Sequence, residues 1–387
     1  MLSERTISLV KSTIPLLSGA GTAVTEHFYA RLFSHNPELK HIFNMTNQQT
    51  GKQHFALFNA IAAYATHIDN PSVLQDAISR INHKHMSLNI QAQHYDIVGH
   101  HLIETLKELA PQEFTPDIEQ AWREAYALLA DMFITQEEGL YVHAQQQVGG
   151  WRGKRAFKIT DIVQESANVK SFYLTPCDGN AIASYQAGQF IALSIKPTHC
   201  DYMQIRQYSL SQSPKAGHYR ISVKKQGLVS EHLHQLHIGD LVELYPPAGD
   251  FVLRDNPKDK VFISAGVGIT PMMAMLERAL ICQNSRKLLF IHACINKNEH
   301  SFKDAIDIKC KQHLNLSQEV WYEQENTTNK QGRIQLDQSD LLLPLEQGEF
   351  YLCGPTPFMA NIKQQLINLG VAPTQIIYEV FGPHETL

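Results

Sequence analysis

Through the first 147 residues of this 387-residue chain, apolar positions recur at the spacing of an α-helix. Ile7, Val10, Ile14 and Leu17 follow Ser3, which reads as the N-cap of a single first helix. Asn36-Pro37 reads as an N-cap with proline at the first helical position. Gln53, Leu57, Ile61 and Tyr64 share one face of a later helix; Leu74, Ile78, Ile81 and His85 share a face of another, opened by Pro71. Tyr95, Val98, Leu102, Leu106 and Leu109 define the next, and Trp122, Leu129, Phe133, Glu137 and Leu140 a long last one. No strand-like alternation interrupts them, so this part is expected to be all-α. Two residues are chemically out of place. His85 ends an apolar stripe, and Glu137 lies one turn beyond Phe133 on another. Periodicity alone makes the first a satisfied core histidine and the second a helix-edge carboxylate reaching water.

Residues 145–153 (Gln-Gln-Gln-Val-Gly-Gly-Trp-Arg-Gly) break the helical pattern with polar residues and three glycines. From Arg155 the period shortens. Segments 155–163, 169–176, 189–196, 204–211 and 218–225 read as strands separated by turn residues such as Asp178-Gly179, and an antiparallel barrel is the simplest closure. Ser230 is read as the cap of a short helix over 231–237. Val261-Phe262-Ile263-Ser264 is then a buried strand by composition. Strands at 287–295, 318–323 and 349–353, with helical stretches between, predict a parallel α/β sheet. The chain thus divides into an all-α domain at 1–147, an antiparallel β-barrel domain at 148–256 and an α/β parallel-sheet domain at 257–387.

Composition narrows the class. Hydrophobic content of 43% and a net charge of −5, without a long basic run, make nucleic acid an unexpected partner. Residues 1–6 lack the apolar core of a signal peptide. The most apolar stretch, 261–281, is broken by Gly266, Gly268, Pro271 and Glu277-Arg278, so no transmembrane segment is expected. The six cysteines show neither a Cys-x-x-Cys pair nor metal-ligand spacing with histidine. A reduced, cytoplasmic monomer is the expectation.

Arg206-Gln207-Tyr208-Ser209 carries the first candidate chemistry. On a strand Arg206 and Tyr208 face one way, Gln207 and Ser209 the other. A guanidinium that pairs with phosphate, beside a ring that packs on an isoalloxazine, can hold a flavin; an ordinary half-buried barrel strand is the plain alternative. Gly227-Leu228-Val229-Ser230 would open a helix whose backbone N–H groups could receive a pyrophosphate. Ala265-Gly266-Val267-Gly268-Ile269-Thr270-Pro271 runs from strand to helix. Its two glycines permit close backbone approach to a pyrophosphate, and Pro271 stands where a Rossmann motif has its third glycine. Cys353-Gly354-Pro355 ends another strand and opens another helix; locally it reads equally well as a small residue in a tight turn.

With Gly188-Gln189-Phe190 upstream, these segments resemble in order the ferredoxin–NADP reductase superfamily, whose Arg-x-Tyr-Ser strand binds FAD. Pro246-Pro247-Ala248-Gly249-Asp250-Phe251 is similar to the exit of that family's barrel, and Tyr378-Glu379-Val380-Phe381-Gly382-Pro383 to the segment that covers the flavin. The first domain resembles the globin of the flavohaemoglobins through Phe28-Tyr29, Asn36-Pro37-Glu38-Leu39, Phe43, Gln53, Leu57 and His85. The resemblance spans essentially the whole chain, which is identified as a member of the flavohaemoglobins, nitric oxide dioxygenases.

That resemblance implies one haem b, one FAD, and NADH or NADPH as electron donor. It makes His85 the axial ligand of haem iron, with Tyr95 and Glu137 hydrogen-bonded around its ring and Lys84 influencing redox poise. Tyr29, Gln53 and Leu57 become pocket residues: Tyr29 donates to the gaseous ligand, Gln53 seconds it, and Leu57 narrows access; Phe43 packs against the haem face. Phe190, Arg206, Gln207, Tyr208, Ser209, Gly227, Val229 and Ser230 are the implied FAD contacts. Gly266, Val267, Gly268, Ile269, Thr270, Pro271, Cys353, Gly354 and Pro355 are the implied nicotinamide-nucleotide contacts. Glu379, Val380, Phe381, Gly382 and Pro383 form the flavin cover, Glu379 tuning its potential. Many members carry cysteine where Val380 stands, so any role of that thiol is absent here.

The implied partners are nitric oxide, O2 and NAD(P)H, and the implied product is nitrate. A flavin suits the design because it takes both electrons of a hydride and releases them singly to iron. Two other readings stand beside it: an NADH-dependent haem or flavin reductase acting on peroxides or other acceptors, and an oxygen-binding or sensing globin kept ferrous by its reductase. No arginine cluster marks a 2′-phosphate site, which favours NADH. The remaining histidines, His83, His100 and His101 among them, read as surface residues.

Overall fold

The computed structural model describes the chain except residues 1, 46, 47, 49, 50, 199, 215, 216, 283–285, 325–329 and 383–387. It forms two compact units, Met1–Gln146 with His199–Arg206, and Gln147–Thr198 with Gln207–Leu387.

The first unit is helical: α1 (Glu4–Ser12), α2 (Ile14–Ala20), α3 (Ala23–His35), α4 (Lys52–Thr66), α5 (Gln75–Ser87), α6 (Ala92–Leu109) and α7 (Pro116–Gln146). Ser3 caps α1, its Oγ accepting the Thr6 N–H at 3.0 Å. The expected single first helix is in fact two. Pro15 brings no N–H to the second, and Thr13 at the break donates its hydroxyl to the Val10 carbonyl (2.7 Å) while accepting from Trp122 Nε1 (3.2 Å). Asn36 and Pro71 open short 3-10 turns, Pro37–His41 and Pro71–Leu74, rather than α-helices. The Asn36 side chain turns instead to Glu38 and to His101, whose Nε2 lies 2.9 Å from its Oδ1. His101 is therefore a buried residue, not a surface one, and burial lowers its pKa.

The apolar stripes meet in two clusters. Val10, Phe28, Tyr29, Leu32, Leu102, Leu106 and Trp122 belong to one; Ile78, Tyr95, Ala130 and Phe133 form the other. Each fully buried large side chain contributes about 1.5–3 kcal/mol, which holds α3, α5, α6 and α7 in place. Among the described residues no single helix is long and apolar enough to cross a membrane.

Residues 155–244 carry six antiparallel strands: β1 (Arg155–Ser166), β2 (Val169–Pro176), β3 (Phe190–Ile195), β4 (Gln204–Ser209), β5 (Tyr219–Lys224) and β6 (Leu241–Leu244), in the order β4-β3-β6-β1-β2-β5. A bridge between Leu210 and Ile221 joins the ends of that order and closes the barrel over Phe157, Phe172, Ile191, Tyr219 and Leu244. β6 has no counterpart among the expected strands. Helix α8 (Leu228–Gln235) starts earlier than expected, with Gly227 as its N-cap residue. Ser230 thus lies inside the helix rather than capping it: its hydroxyl donates to the Gly227 carbonyl and accepts the Gln226 N–H, each at 2.9 Å.

The remaining strands, β7 (Lys260–Ala265), β8 (Leu288–Cys294), β9 (Leu316–Tyr322), β10 (Lys330–Gln331), β11 (Glu349–Cys353) and β12 (Ile376–Glu379), pair in parallel in the order β10-β9-β8-β7-β11-β12. Helices α9 (Ile269–Cys282), α10 (Lys303–Gln312) and α11 (Thr356–Asn368) complete the doubly wound layer.

A buried polar pair lies in this layer. His292 Nδ1 bonds Ser264 Oγ and His300 Nδ1 bonds Tyr322 Oη, each at 2.9 Å, and the imidazole centroids are 5.2 Å apart. Burial lowers the His300 pKa from 6.5 to about 4 and holds His292 well below 6.5. The unfolded chain therefore binds protons that the folded chain refuses. This stability is complete above pH 6.5 and is lost as pH falls from 6.5 through 4. His300 alone is expected to cost about 3 kcal/mol over that window. Urea unfolding at pH 7 and at acid pH checks it: His300→Gln is expected to flatten the dependence, and an unaltered slope would assign the acid sensitivity elsewhere.

Candidate functional site

In the helical unit His85 occupies the last turn of α5, and α6 and α7 bring Tyr95 and Glu137 to its ring. His85 Nδ1 lies 2.7 Å from Glu137 Oε1 and 2.9 Å from Tyr95 Oη, while the Tyr95 hydroxyl donates to the same Glu137 oxygen at 2.5 Å. A carboxylate only accepts, so Nδ1 carries the ring proton and Nε2 keeps its lone pair, a tautomer assigned from these partners. Glu137 is 2% exposed, which rules out the plain reading of a helix-edge residue. Burial, and then the Glu137 charge, push the Tyr95 hydroxyl far above its ordinary pKa, so it remains a donor. Tyr126 donates to the Tyr95 carbonyl at 2.6 Å and Tyr141 to the Ile90 carbonyl at 2.8 Å, clamping α7 onto the chain around His85. Lys84 is half-buried beside the histidine.

Tyr29, on α3, is buried, and burial raises its pKa to about 12 against the opposing hydrogen bonds of Gln53 and Gln48. Its ring stacks on Phe33 (5.8 Å between centroids) and His54 (5.2 Å), with Phe43 edge-on at 5.9 Å. Leu57 is half-buried against the same cluster. Tyr29, Gln53, Phe43 and Leu57 are thus gathered in one region, as are His85, Tyr95 and Glu137 in another. Gln48 and His54 escaped the sequence reading. Gln48 Oε1 lies 2.9 Å from His54 Nε2, and Thr25 Oγ1 donates to the His54 carbonyl at 2.9 Å, fixing the start of α4 against α3. Neither residue falls on an apolar stripe, so no periodic signal marks them.

In the barrel Phe190 begins β3, its ring against Gly249. The Arg206 guanidinium donates to the Ile205 carbonyl (2.9 Å) and to Gln204 Oε1 (3.0 Å). Gln207 and Tyr208 are half-buried, Tyr208 against the barrel core, and Ser209 is buried. Val229 is buried in the first turn of α8.

In the parallel layer the turn Gly266–Gly268 leads from β7 into α9, where Ile269, Thr270 and Pro271 are buried and the Thr270 hydroxyl donates to the Val267 carbonyl at 3.0 Å. Gly266 adopts φ +54 with open space where a Cβ would stand. Gly268 packs on the Cys353-Gly354 peptide: a Cβ there would lie 2.5 Å from the Cys353 carbonyl carbon and 2.7 Å from the Gly354 nitrogen. The two motifs are therefore pressed backbone to backbone. Gly268→Ala is expected to destabilise the fold by about 1–3 kcal/mol, because neither peptide can swing aside. Urea unfolding checks this; wild-type stability would contradict the packing.

Cys353 is fully buried at the end of β11, with Pro355 exposed just beyond as the N-cap of α11. Burial, then the charge of Glu379 paired beside it on β12, hold its thiol pKa well above the ordinary range, so it stays protonated. Val380 packs half-buried near Tyr378, Phe381 is 46% exposed, and Gly382 follows. Pro383 lies outside the described residues.

Three family models match the chain in order: Globin over residues 26–133, Oxidoreductase FAD-binding domain over 156–253 and Oxidoreductase NAD-binding domain over 262–364. A globin joined to a flavin- and nicotinamide-type oxidoreductase is the class that fold and site define. The Flavohemoprotein of Vibrio cholerae serotype O1 is 51% identical, covering 100% of both chains, and that of Halalkalibacterium halodurans is 43% identical over 100% of this chain and 98% of its own. The chain belongs to the flavohaemoprotein family of oxidoreductases. The crystal structure of a flavohemoglobin from Malassezia yamatoensis with bound FAD and heme superposes with a TM-score of 0.89 at 28% identity, over 98% of this chain and 100% of that one. The FAD/NAD-binding domain of a nitric oxide dioxygenase from Vibrio cholerae O1 biovar El Tor superposes with a TM-score of 0.57 at 44% identity, over 59% of this chain and 99% of that one.

Proposed function

We propose that the chain is an NAD(P)H-dependent nitric oxide dioxygenase that converts nitric oxide and O2 to nitrate. The observation that carries this reading is the Glu137 oxygen that receives both Nδ1–H of His85 and the Tyr95 hydroxyl. Full-length similarity to flavohaemoproteins and the nitric oxide dioxygenase domain structure support it.

The residues present fit the groups this function needs. His85 offers one lone pair, on Nε2, for iron, and its other nitrogen is fixed by a buried carboxylate. Backbone at Gly227 and Gly266 lies beside open space suited to pyrophosphates of FAD and a nicotinamide nucleotide. When bound, the haem would supply a one-electron iron centre and the flavin the conversion from two-electron hydride to single electrons.

The protein's own part follows from its geometry. Glu137 raises the basicity of the His85 ring and favours oxygen activation over storage. Tyr29, protonated at neutral pH, is placed to donate to an oxygen-containing ligand, with Gln53 beside it and Leu57 limiting access. Arg206, Tyr208, Ser209 and the first turn of α8 hold FAD; the Gly266–Gly268 turn and Cys353 hold NADH, the favoured donor. Globin, flavin and nicotinamide domains are assigned to 1–147, 148–256 and 257–387. The balanced reaction takes two nitric oxide, two O2 and one NAD(P)H to two nitrate, one NAD(P)+ and one proton.

Isotope labelling tests the chemistry. With heavy-oxygen-labelled O2, nitrate is expected to carry two labelled atoms, both from one O2. Nitrate with one label or none would exclude a dioxygenase.

A further inference from the structure

The barrel and the parallel layer meet within the second unit through an apolar centre with a polar rim. Ala187 and Phe251 of the barrel join the cluster formed by Met272, Met275 and their neighbours on α9. Around this centre the parallel layer presents two carboxylates, and the barrel answers with two cations from one strand. Arg220 and Lys224 both lie on β5, four residues apart and therefore on the same face.

Glu277 of α9 accepts the Ser213 N–H at 2.8 Å, with Arg220 Nη2 at 3.7 Å and Lys309 Nζ, from its own layer, at 3.8 Å. Arg220 is held for this contact: Nε donates to Ser211 Oγ at 3.1 Å, Nη2 donates to the Ser211 carbonyl, and the guanidinium lies over the Phe302 ring at 5.2 Å. Glu299 accepts from Asn168 Nδ2 at 2.8 Å, with Lys224 Nζ at 3.9 Å. Beside it the Ala167 N–H donates to the Asn298 carbonyl at 2.7 Å and the Ser301 hydroxyl to Ser166 Oγ at 2.9 Å.

These contacts bear on the chemistry because of where they sit. The flavin residues ride on the barrel and the nucleotide turn on the parallel layer, so the junction sets the separation of hydride donor and acceptor. Glu277 lies eight residues along the helix that begins at Ile269 directly after that turn, about 12 Å from its start. Glu299 follows the carboxyl end of β8. Small misplacements of reacting atoms slow a transfer steeply.

We propose that Glu277 and Glu299 are positioning residues for hydride transfer, seating the nicotinamide domain on Arg220 and Lys224 of the barrel. The proposal rests on the flavin and nicotinamide reading above. In the transfer itself the reduced nicotinamide loses a hydride, with both electrons, to oxidised flavin, leaving oxidised nicotinamide and reduced flavin.

Anaerobic stopped-flow reduction of the flavin by NADH, in the full-length holoprotein, tests it. Glu277→Gln is expected to lower the limiting rate about tenfold, with NADH Kd within twofold and FAD content and haem spectrum unchanged. Amide hydrogen exchange of 166–168 and 211–213 in the full chain is expected to quicken. Glu299→Lys is expected to slow the limiting rate too, and Glu299→Lys with Lys224→Glu to restore it; both sites are partly exposed, so this swap decides the matter should Glu277→Gln fail to fold. An unchanged limiting rate in the folded single variants, slowing through lost FAD or NADH affinity, or no recovery in the swap would overturn the proposal. Unaltered protein whose FAD is not reduced by NADH would instead refute the underlying reading.

Discussion

His85→Ala is expected to leave the purified protein with less than about a tenth of its normal haem, negligible nitric oxide consumption and intact reduction of flavin by NADH. Nδ1 is engaged by Glu137 at 2.7 Å and Tyr95 at 2.9 Å, so Nε2 is the ring's remaining nitrogen for a metal. Alanine supplies no lone pair. It also leaves the Glu137 carboxylate, 2% exposed, without its imidazole partner, which costs several kcal/mol locally. The flavin and nicotinamide residues lie in other elements and should be spared. The haem-to-flavin absorbance ratio, read with the rate of flavin bleaching, checks all of this. A normal haem content would mean that the iron ligand has been misassigned.

Glu137→Gln is expected to keep haem but slow nitric oxide turnover about 10- to 100-fold, the usual consequence of removing a partner that orients a metal-ligating histidine. Glutamine fills the same space, so packing around Phe133 is preserved. What changes is charge: a neutral amide no longer draws the Nδ1 proton, and the ring becomes a poorer electron donor. The haem midpoint potential should therefore rise in step with the loss of rate. Tyr95→Phe removes one donor from the carboxylate and leaves the 2.7 Å His85 contact, so its effect should be the smaller. Unchanged nitric oxide consumption in both variants would remove the triad from the mechanism.

The chain's periodicities were informative where one face of an element is buried. The stripes that end in His85 and pass through Glu137 marked both residues as anomalies, but periodicity could not say that they meet, since fifty-two positions separate them. Only the packing of α5 on α7 brings them together. β6 and β12 are four residues each and β10 is two, too short to carry an alternation. Ser230 looked like a cap because serine suits that position, yet a glycine at φ +152 begins the helix and the serine bonds back from its first turn. His101 reads as a surface residue, whereas Asn36 supplies the partner that permits its burial, as Ser264 and Tyr322 do for His292 and His300. Such partners come from distant segments, and a one-dimensional pattern does not register them.

The most direct test of the central claim is a nitric oxide electrode trace of the purified, haem- and FAD-loaded protein with NADH and O2. The expected result is fast nitric oxide loss that needs both NADH and O2 and yields nitrate in equal amount. Persistence of nitric oxide while NADH still reduces the flavin would contradict it, leaving a working reductase joined to a globin of another purpose.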